Sequence, residues 1–198
     1  MALLTSIGGF GRAPARWCAR GLAALALLAA VVAPAAAQPA PTKEFQVKAV
    51  FLFHFTQFVD WPASAYKDAQ APCVIGVLGD DPFGAYLDDL VRNEKIGEHP
   101  IVVRRYRAVG DIADCHVLFI SSSEAGRLDP IMAGLKGRSI LTVGDTEDFN
   151  RAGGIVRLFV TEQGKPGLWI NVAAAKAVGL TISSKLLKAA MIVPAGNP

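Results

Sequence analysis

Apolar residues along the chain fall into short blocks of contrasting period. Cys73 to Gly79 (CVIGVLG) is a β-branched run closed by glycine, followed by Asp80-Asp81-Pro82 and then by Phe83, Leu87, Leu90 and Val91 at helical spacing. This predicts a strand, a capped turn and a helix, with Asp80 or Asp81 as the cap and Pro82 in the first turn. Ile101 to Tyr106 (IVVRRY), His116 to Ile120 (HVLFI) and Ser139 to Val143 (SILTV) read as three more strands, and Glu124 to Leu135 as a helix. Alternating strands and helices predict parallel βαβ units. Ile155 to Thr161 and Leu168 to Val172, joined by the turn-rich EQGKPG, predict an antiparallel hairpin extending the sheet. Asn171 caps a helix through Val178 that Gly179 ends, and Ser183 or Ser184 caps a last short helix carrying Leu186, Leu187 and Met191. The expected fold is α/β, Rossmann-like or flavodoxin-like, with a mostly parallel sheet, the C-terminal hairpin and flanking helices. Its first and third strands, which begin at or next to Cys73 and Cys115, should be neighbours, since a bridge between these cysteines needs the two starts close in space.

The segment Lys43 to Val59 breaks this rhythm. It reads as a helix, yet Phe45, Val47, Val50, Phe51, Leu52, Phe53, Phe55, Phe58 and Val59 cover much of its circumference. Such a helix is either buried on more than one side or turns one face to another chain. Phe51, Phe55, Phe58 and Trp61 are therefore the candidate partner-binding anchors, aromatic groups being the usual hot spots, with some of the four expected in the core. Pro62 ends the helix.

Position along the chain changes the meaning of the charge. The 198 residues carry 20 Lys+Arg and 17 Asp+Glu, but Arg12, Arg16 and Arg20 precede every acidic residue; without them the balance is 17 against 17. A neutral domain lacks the clustered positive charge that nucleic-acid binding requires. The early arginines, the Leu22 to Val32 run and Ala35-Ala36-Ala37 form a signal-peptide pattern, with cleavage expected after Ala37. The apolar run is about half of the roughly 20 residues a membrane span needs, so stable insertion is not expected. The expected organisation is a leader over 1–37, a disordered lead-in over 38–41 and one α/β domain over 42–198.

Export removes Cys18 and leaves Cys73 and Cys115, an even number in an oxidising compartment and both at strand starts. A Cys73–Cys115 disulfide is expected, two separate buried thiols being the alternative. No metal site is expected, because there is no CxxC pair and His54, His99 and His116 have no ligand spacing. Nor is a cofactor expected: Gly76, Gly79 and Gly84 miss the G-x-G-x-x-G spacing, and Asp80-Asp81 places negative charge where a pyrophosphate would sit. Asp80, Ser121 and Asp145 each follow a strand, at the edge where open α/β sheets bind ligands. They are the ligand-binding candidates, with helix or turn capping as the competing role. Ser121-Ser122-Ser123 has no G-x-S-x-G elbow and no adjacent base, so no catalytic residue is assigned. Arg104, Arg105 and Arg107 read as charge guarding an edge strand.

Five blocks, KEFQVKAVFLFHFTQFVDWP (43–62), CVIGVLGDDPFG (73–84), DCHVLFISSSE (114–124), ILTVGD (140–145) with Gly153-Gly154, and INVAAAKAVGLTISSKLL (170–187), together resemble the YfiR family of secreted bacterial proteins. The resemblance implies a periplasmic, non-enzymatic regulator of Rossmann-like fold. Such a protein binds the periplasmic sensor domain of an inner-membrane diguanylate cyclase and represses cyclic di-GMP synthesis, a negative control on biofilm formation. A periplasmic small-ligand-binding protein of the same fold, feeding another sensor, is the alternative. Monomer and homodimer both stay open.

Overall fold

The computed structural model describes residues 40–194; the expected leader and its cleavage point lie outside them. The first element is α1 (Lys43–Phe58), whose N-cap Thr42 accepts a hydrogen bond from the Phe45 amide. Strand β1 (Val59–Asp60) follows, then a short 3-10 turn over Ala63–Ala65. Next come β2 (Cys73–Leu78), α2 (Ala85–Val91), β3 (Lys95–Ile96) and β4 (His99–Tyr106). Beyond a second 3-10 turn at Val109–Asp111 lies β5 (Val117–Ile120); a 3-10 helix over Ser122–Arg127 runs into α3 (Leu128–Leu135). The chain then forms β6 (Leu141–Gly144), β7 (Val156–Val160), β8 (Pro166–Ile170), α4 (Val172–Ala177), β9 (Thr181–Ile182), α5 (Ser184–Lys188) and β10 (Met191–Ile192).

Eight strands form one sheet in the order β10-β8-β7-β6-β5-β2-β4-β3. Strands β4, β2, β5, β6 and β7 run parallel, β8 returns antiparallel to β7 as the hairpin, and β3 lies antiparallel to β4. The expected neighbours are paired: Ile75 sits opposite Val117 and Leu78 opposite Ile120. Strand β2 is buried at all six positions, which is why its sequence is apolar without alternation.

Side-chain alternation divides the core in two. Ile75, Val77, Val117, Phe119, Leu141 and Val143 face α1 and α2, against Ala49, Leu52, Phe55, Phe83 and Leu87. Leu78, Leu118 and Ile120 face the other way, against Leu128, Ile131 and Leu135 of α3 and against Phe149. A Cβ at Gly76, in the middle of β2, would lie within 2.9 Å of the Tyr106 ring, Cys115 Sγ and Leu118 Cδ1, so glycine is what lets these groups close over the strand.

Several boundaries differ from the sequence pattern. Neither Asp80 nor Asp81 caps α2; Gly84, with φ of 53°, stands at its N-cap, and Asp81 instead accepts the Phe83 amide in a local turn. The helix expected over Glu124–Leu135 begins as the 3-10 segment. Met191 leaves the last helix to pair with Trp169 in β10, and β1 pairs with β9 apart from the main sheet. Strand β3 pairs only with His99 and Pro100 at the start of β4, so among the described residues Arg104 and Arg105 stay on the outer edge of the sheet.

The expected Cys73–Cys115 disulfide is absent: both residues are buried free thiols. Extending the β2–β5 register would set them side by side. A bend at His116 upsets the alternation, however, so that Cys115 falls among Leu118 and Ile120 while Cys73 stays with Ile75 and Val77 on the opposite face. The alternative of two separate thiols is the one observed. Removal from water pushes the Cys73 thiol up to about 11 and the Cys115 thiol up to about 12, keeping both protonated.

Candidate ligand pocket and partner surface

The chain crosses from one side of β2 to the other between β4 and β5, and this reversal opens a crevice at the carboxyl ends of β2 and β5. Asp80, Ser121 and Asp145, each just beyond a different strand, meet in one pocket of about 410 Å³ there. Phe45 of α1, Pro82 and Phe119 supply its apolar wall. The three candidates come together because parallel strands of matched register end at the same level.

Backbone geometry sets the polar groups. Gly79 has φ of +87°, and a Cβ there would meet Ser123 Oγ at 2.5 Å, so only glycine lets the chain leave β2 this close to the β5 loop. Ser123 Oγ then accepts the Asp80 amide at 3.0 Å. Ser121, 6% exposed, accepts the Ser123 amide and thereby caps the 3-10 helix, the competing role weighed from sequence.

Two cations, neither lining the pocket, neutralise two of its three carboxylates. Lys48 is only 2% exposed on α1; its Nζ bonds Asp145 Oδ2 at 2.7 Å and Glu44 Oε1 at 2.5 Å, and lies 4.7 Å from the Phe45 ring centre. Arg105 donates through Nε to Asp81 at 2.9 Å and through Nη1 and Nη2 to Asp88, and Nη2 also reaches the Gly84 carbonyl. Asp88 and Asp81 hold the guanidinium firmly protonated. Arg105 thus ties β4 to α2 as well as dressing the sheet. Both cations escape the sequence pattern, although Glu44 and Lys48 at i and i+4 on an apolar helix are a readable signal for a paired buried lysine.

Asp80 is exposed and joins no ion pair among the described residues. With no Lys or Arg in the lining, the pocket is hostile to phosphate and suited to neutral or cationic polar molecules. Acyl-transfer chemistry has no base here: His116 stands at the opposite end of β5 from Ser121, on the order of 15 Å away at strand spacing. Among the described residues no cluster of His, Cys, Asp and Glu could hold a metal ion.

The four aromatic anchor candidates separate. Phe55 is the member that falls in the core: it is fully buried between Leu52 and Val59 on the inward face and cannot reach a partner without unfolding α1, so it is not an anchor. Phe51, Phe58 and Trp61 are half-buried, packed against the core with part of each ring in solvent. Trp61 is further tied down: its indole Nε1–H donates to the His116 carbonyl at 3.2 Å.

Among the described residues no helix is long and apolar enough to cross a membrane. No curated protein matches the chain. A family described as YfiR/HmsC-like matches residues 45–191, from α1 to the first residue of β10, which takes in both the pocket and the aromatic surface. The chain belongs to the YfiR/HmsC-like family.

Proposed function

We propose that this protein represses an inner-membrane diguanylate cyclase by binding the cyclase's periplasmic sensor domain. The observation that carries the reading is family membership over nearly the whole folded region, since the YfiR/HmsC-like family consists of periplasmic, regulatory rather than catalytic proteins in cyclic di-GMP signalling. In this reading the leader directs export and is cleaved after Ala37. Repression requires unequal affinity for the two states of the cyclase, because a protein that binds both equally shifts nothing. Phe51, Phe58 and Trp61 are the anchors this reading assigns to the contact.

Deletion of the gene in a strain expressing the cyclase is expected to raise cyclic di-GMP and surface attachment. Pull-down from detergent-solubilised inner membrane is expected to recover the cyclase. Unchanged cyclic di-GMP together with no recovered cyclase would sink the proposal.

The convergence of Asp80, Ser121 and Asp145 supports a second reading, in which a small periplasmic molecule occupies the pocket and tunes repression. Such a ligand acts only through a difference in affinity between the free and cyclase-bound forms. Repression that is identical with Asp80→Asn and Ser121→Ala variants, both folded, would leave the pocket without a regulatory role.

A further inference from the structure

A smaller cavity, of about 150 Å³, lies at the other end of the sheet, between the segment that joins β1 to β2 and the residues entering β5. His116 lines it and is 2% exposed. The imidazole is held on three sides: Tyr66 stacks on it with centroids 4.3 Å apart, Trp61 meets it edge-on at 5.8 Å, and Nδ1 accepts the Val74 amide at 3.0 Å. Accepting at Nδ1 fixes the tautomer, so Nε2 carries the hydrogen. That Nε2–H is buried and makes no well-formed hydrogen bond among the described residues. The Ala65 carbonyl faces the ring and favours its charged form, but does not meet Nε2 in full hydrogen-bond geometry. A buried donor without an acceptor is costly, and the cavity is where an acceptor can stand.

The rim has the opposite character. Among the described residues that line it, Asp68 and Asp114 stand with one cation, Lys67, whose Nζ pairs with Asp114 at 2.7 Å. One carboxylate more than the cation count leaves the mouth negative, while Ala65, Ala71 and Pro72 make the walls apolar. An occupant that suits both ends carries an acceptor oxygen inward and an ammonium outward. The volume is ample for a molecule of about five heavy atoms.

We propose that this cavity is a binding site for a small molecule that joins an ammonium to an acceptor oxygen across two carbons, of the size of glycine or ethanolamine, with the oxygen on His116 Nε2–H and the ammonium between Asp68 and Asp114. The site is distinct from the pocket at the carboxyl ends of the strands and does not depend on the repression reading. A simple carboxylate satisfies the histidine but brings a second negative charge to the rim; a simple amine satisfies the rim and leaves the histidine unmet. Both halves are needed on one molecule.

The test is a titration of the purified protein, labelled with ¹⁵N-histidine, with glycine, ethanolamine, acetate and methylamine in turn. Glycine and ethanolamine are expected to shift the His116 Nε2 resonance saturably, with half-saturation on the order of 1 mM. Acetate and methylamine should bind at least about tenfold more weakly. Asp114→Asn is expected to weaken glycine binding by about fivefold or more without changing the thermal melt, and Asp68→Asn serves the same purpose should the first variant lose its fold. Absence of a saturable shift with glycine and ethanolamine, or equal responses to all four probes, overturns the proposal; so does unchanged glycine affinity in a folded rim variant.

Discussion

Lys48→Met removes the only cation among the described residues that is bonded to Asp145 and Glu44, while keeping a side chain of similar length and volume against the α1 face of the sheet. The two carboxylates respond differently. Glu44 is 48% exposed and rehydrates readily, but Asp145 is 13% exposed and is left with an unpaired charge beside Phe45. Breaking a buried pair from one side costs about 3–5 kcal/mol, and the access of Glu44 to water places this case near the lower limit, about 3 kcal/mol. For a domain of this size that corresponds to a melting temperature lower by roughly 6–12 °C. Asp145→Asn is gentler, since Lys48 keeps Glu44 and the amide still accepts a hydrogen bond; about 1.5 kcal/mol is expected. The double variant should cost about 2 kcal/mol, well below the sum of the two, because it removes both charges and strands neither. Urea denaturation of the four proteins, read by tryptophan fluorescence, measures the cycle. A Lys48→Met loss below about 1 kcal/mol, or additive costs, would show that the pair is not what holds α1 to the end of β6.

Gly76→Ala is expected to destabilise by about 1–3 kcal/mol, since the new methyl group overlaps the Tyr106 ring, Cys115 Sγ and Leu118 in a packed core; chemical denaturation checks it. Burial lowers the His116 pKa from 6.5 to about 4, so the unfolded chain binds more protons between those values and stability should fall as pH drops from 6.5 to 4, by up to about 3 kcal/mol. That slope should flatten in His116→Gln, compared by urea midpoints across the range. The buried thiols act at the other extreme: with both raised to about 11 and 12, their contribution is whole below the unfolded thiol value near 8.5 and is lost as pH climbs towards 12. Neither cysteine should alkylate in the native protein without denaturant, and both should do so after unfolding in the absence of reductant, as intact mass will report.

How far the sequence could be read depended on whether a pattern was local. Strand β2 and the hairpin are apolar runs bounded by turn residues, and strands alternate with helices, so the α/β sheet was legible; the pairing of β2 with β5 was expected from a bridge between Cys73 and Cys115, whereas both are free thiols. The meeting of Asp80, Ser121 and Asp145 was legible for the same reason, as residues just past parallel strands share one edge. The cysteines were not: side-chain parity is reversed by the bend at His116, and a single bend leaves no mark in composition or periodicity. Phe55 could not be separated from Phe51 and Phe58, because a helix apolar on most sides does not reveal which face the sheet covers. Lys48 and Arg105 were overlooked as site residues because their carboxylate partners lie far along the chain or across the sheet.

The bond between Lys48 and Asp145 joins residues 97 positions apart, and this separation sets an order of events during synthesis. Helix α1 is made first among the core elements, yet the strands that cover Ala49, Leu52 and Phe55 and the carboxylate that neutralises Lys48 come later. At about 5–20 residues per second, roughly 5–20 s pass between the appearance of Lys48 and that of Asp145. During that interval the segment is an uncovered run of phenylalanines carrying a charge it cannot yet bury. The same residues that close the finished domain therefore make the nascent chain sticky, and a holding factor that grips aromatic segments has its natural purchase between Phe45 and Phe58.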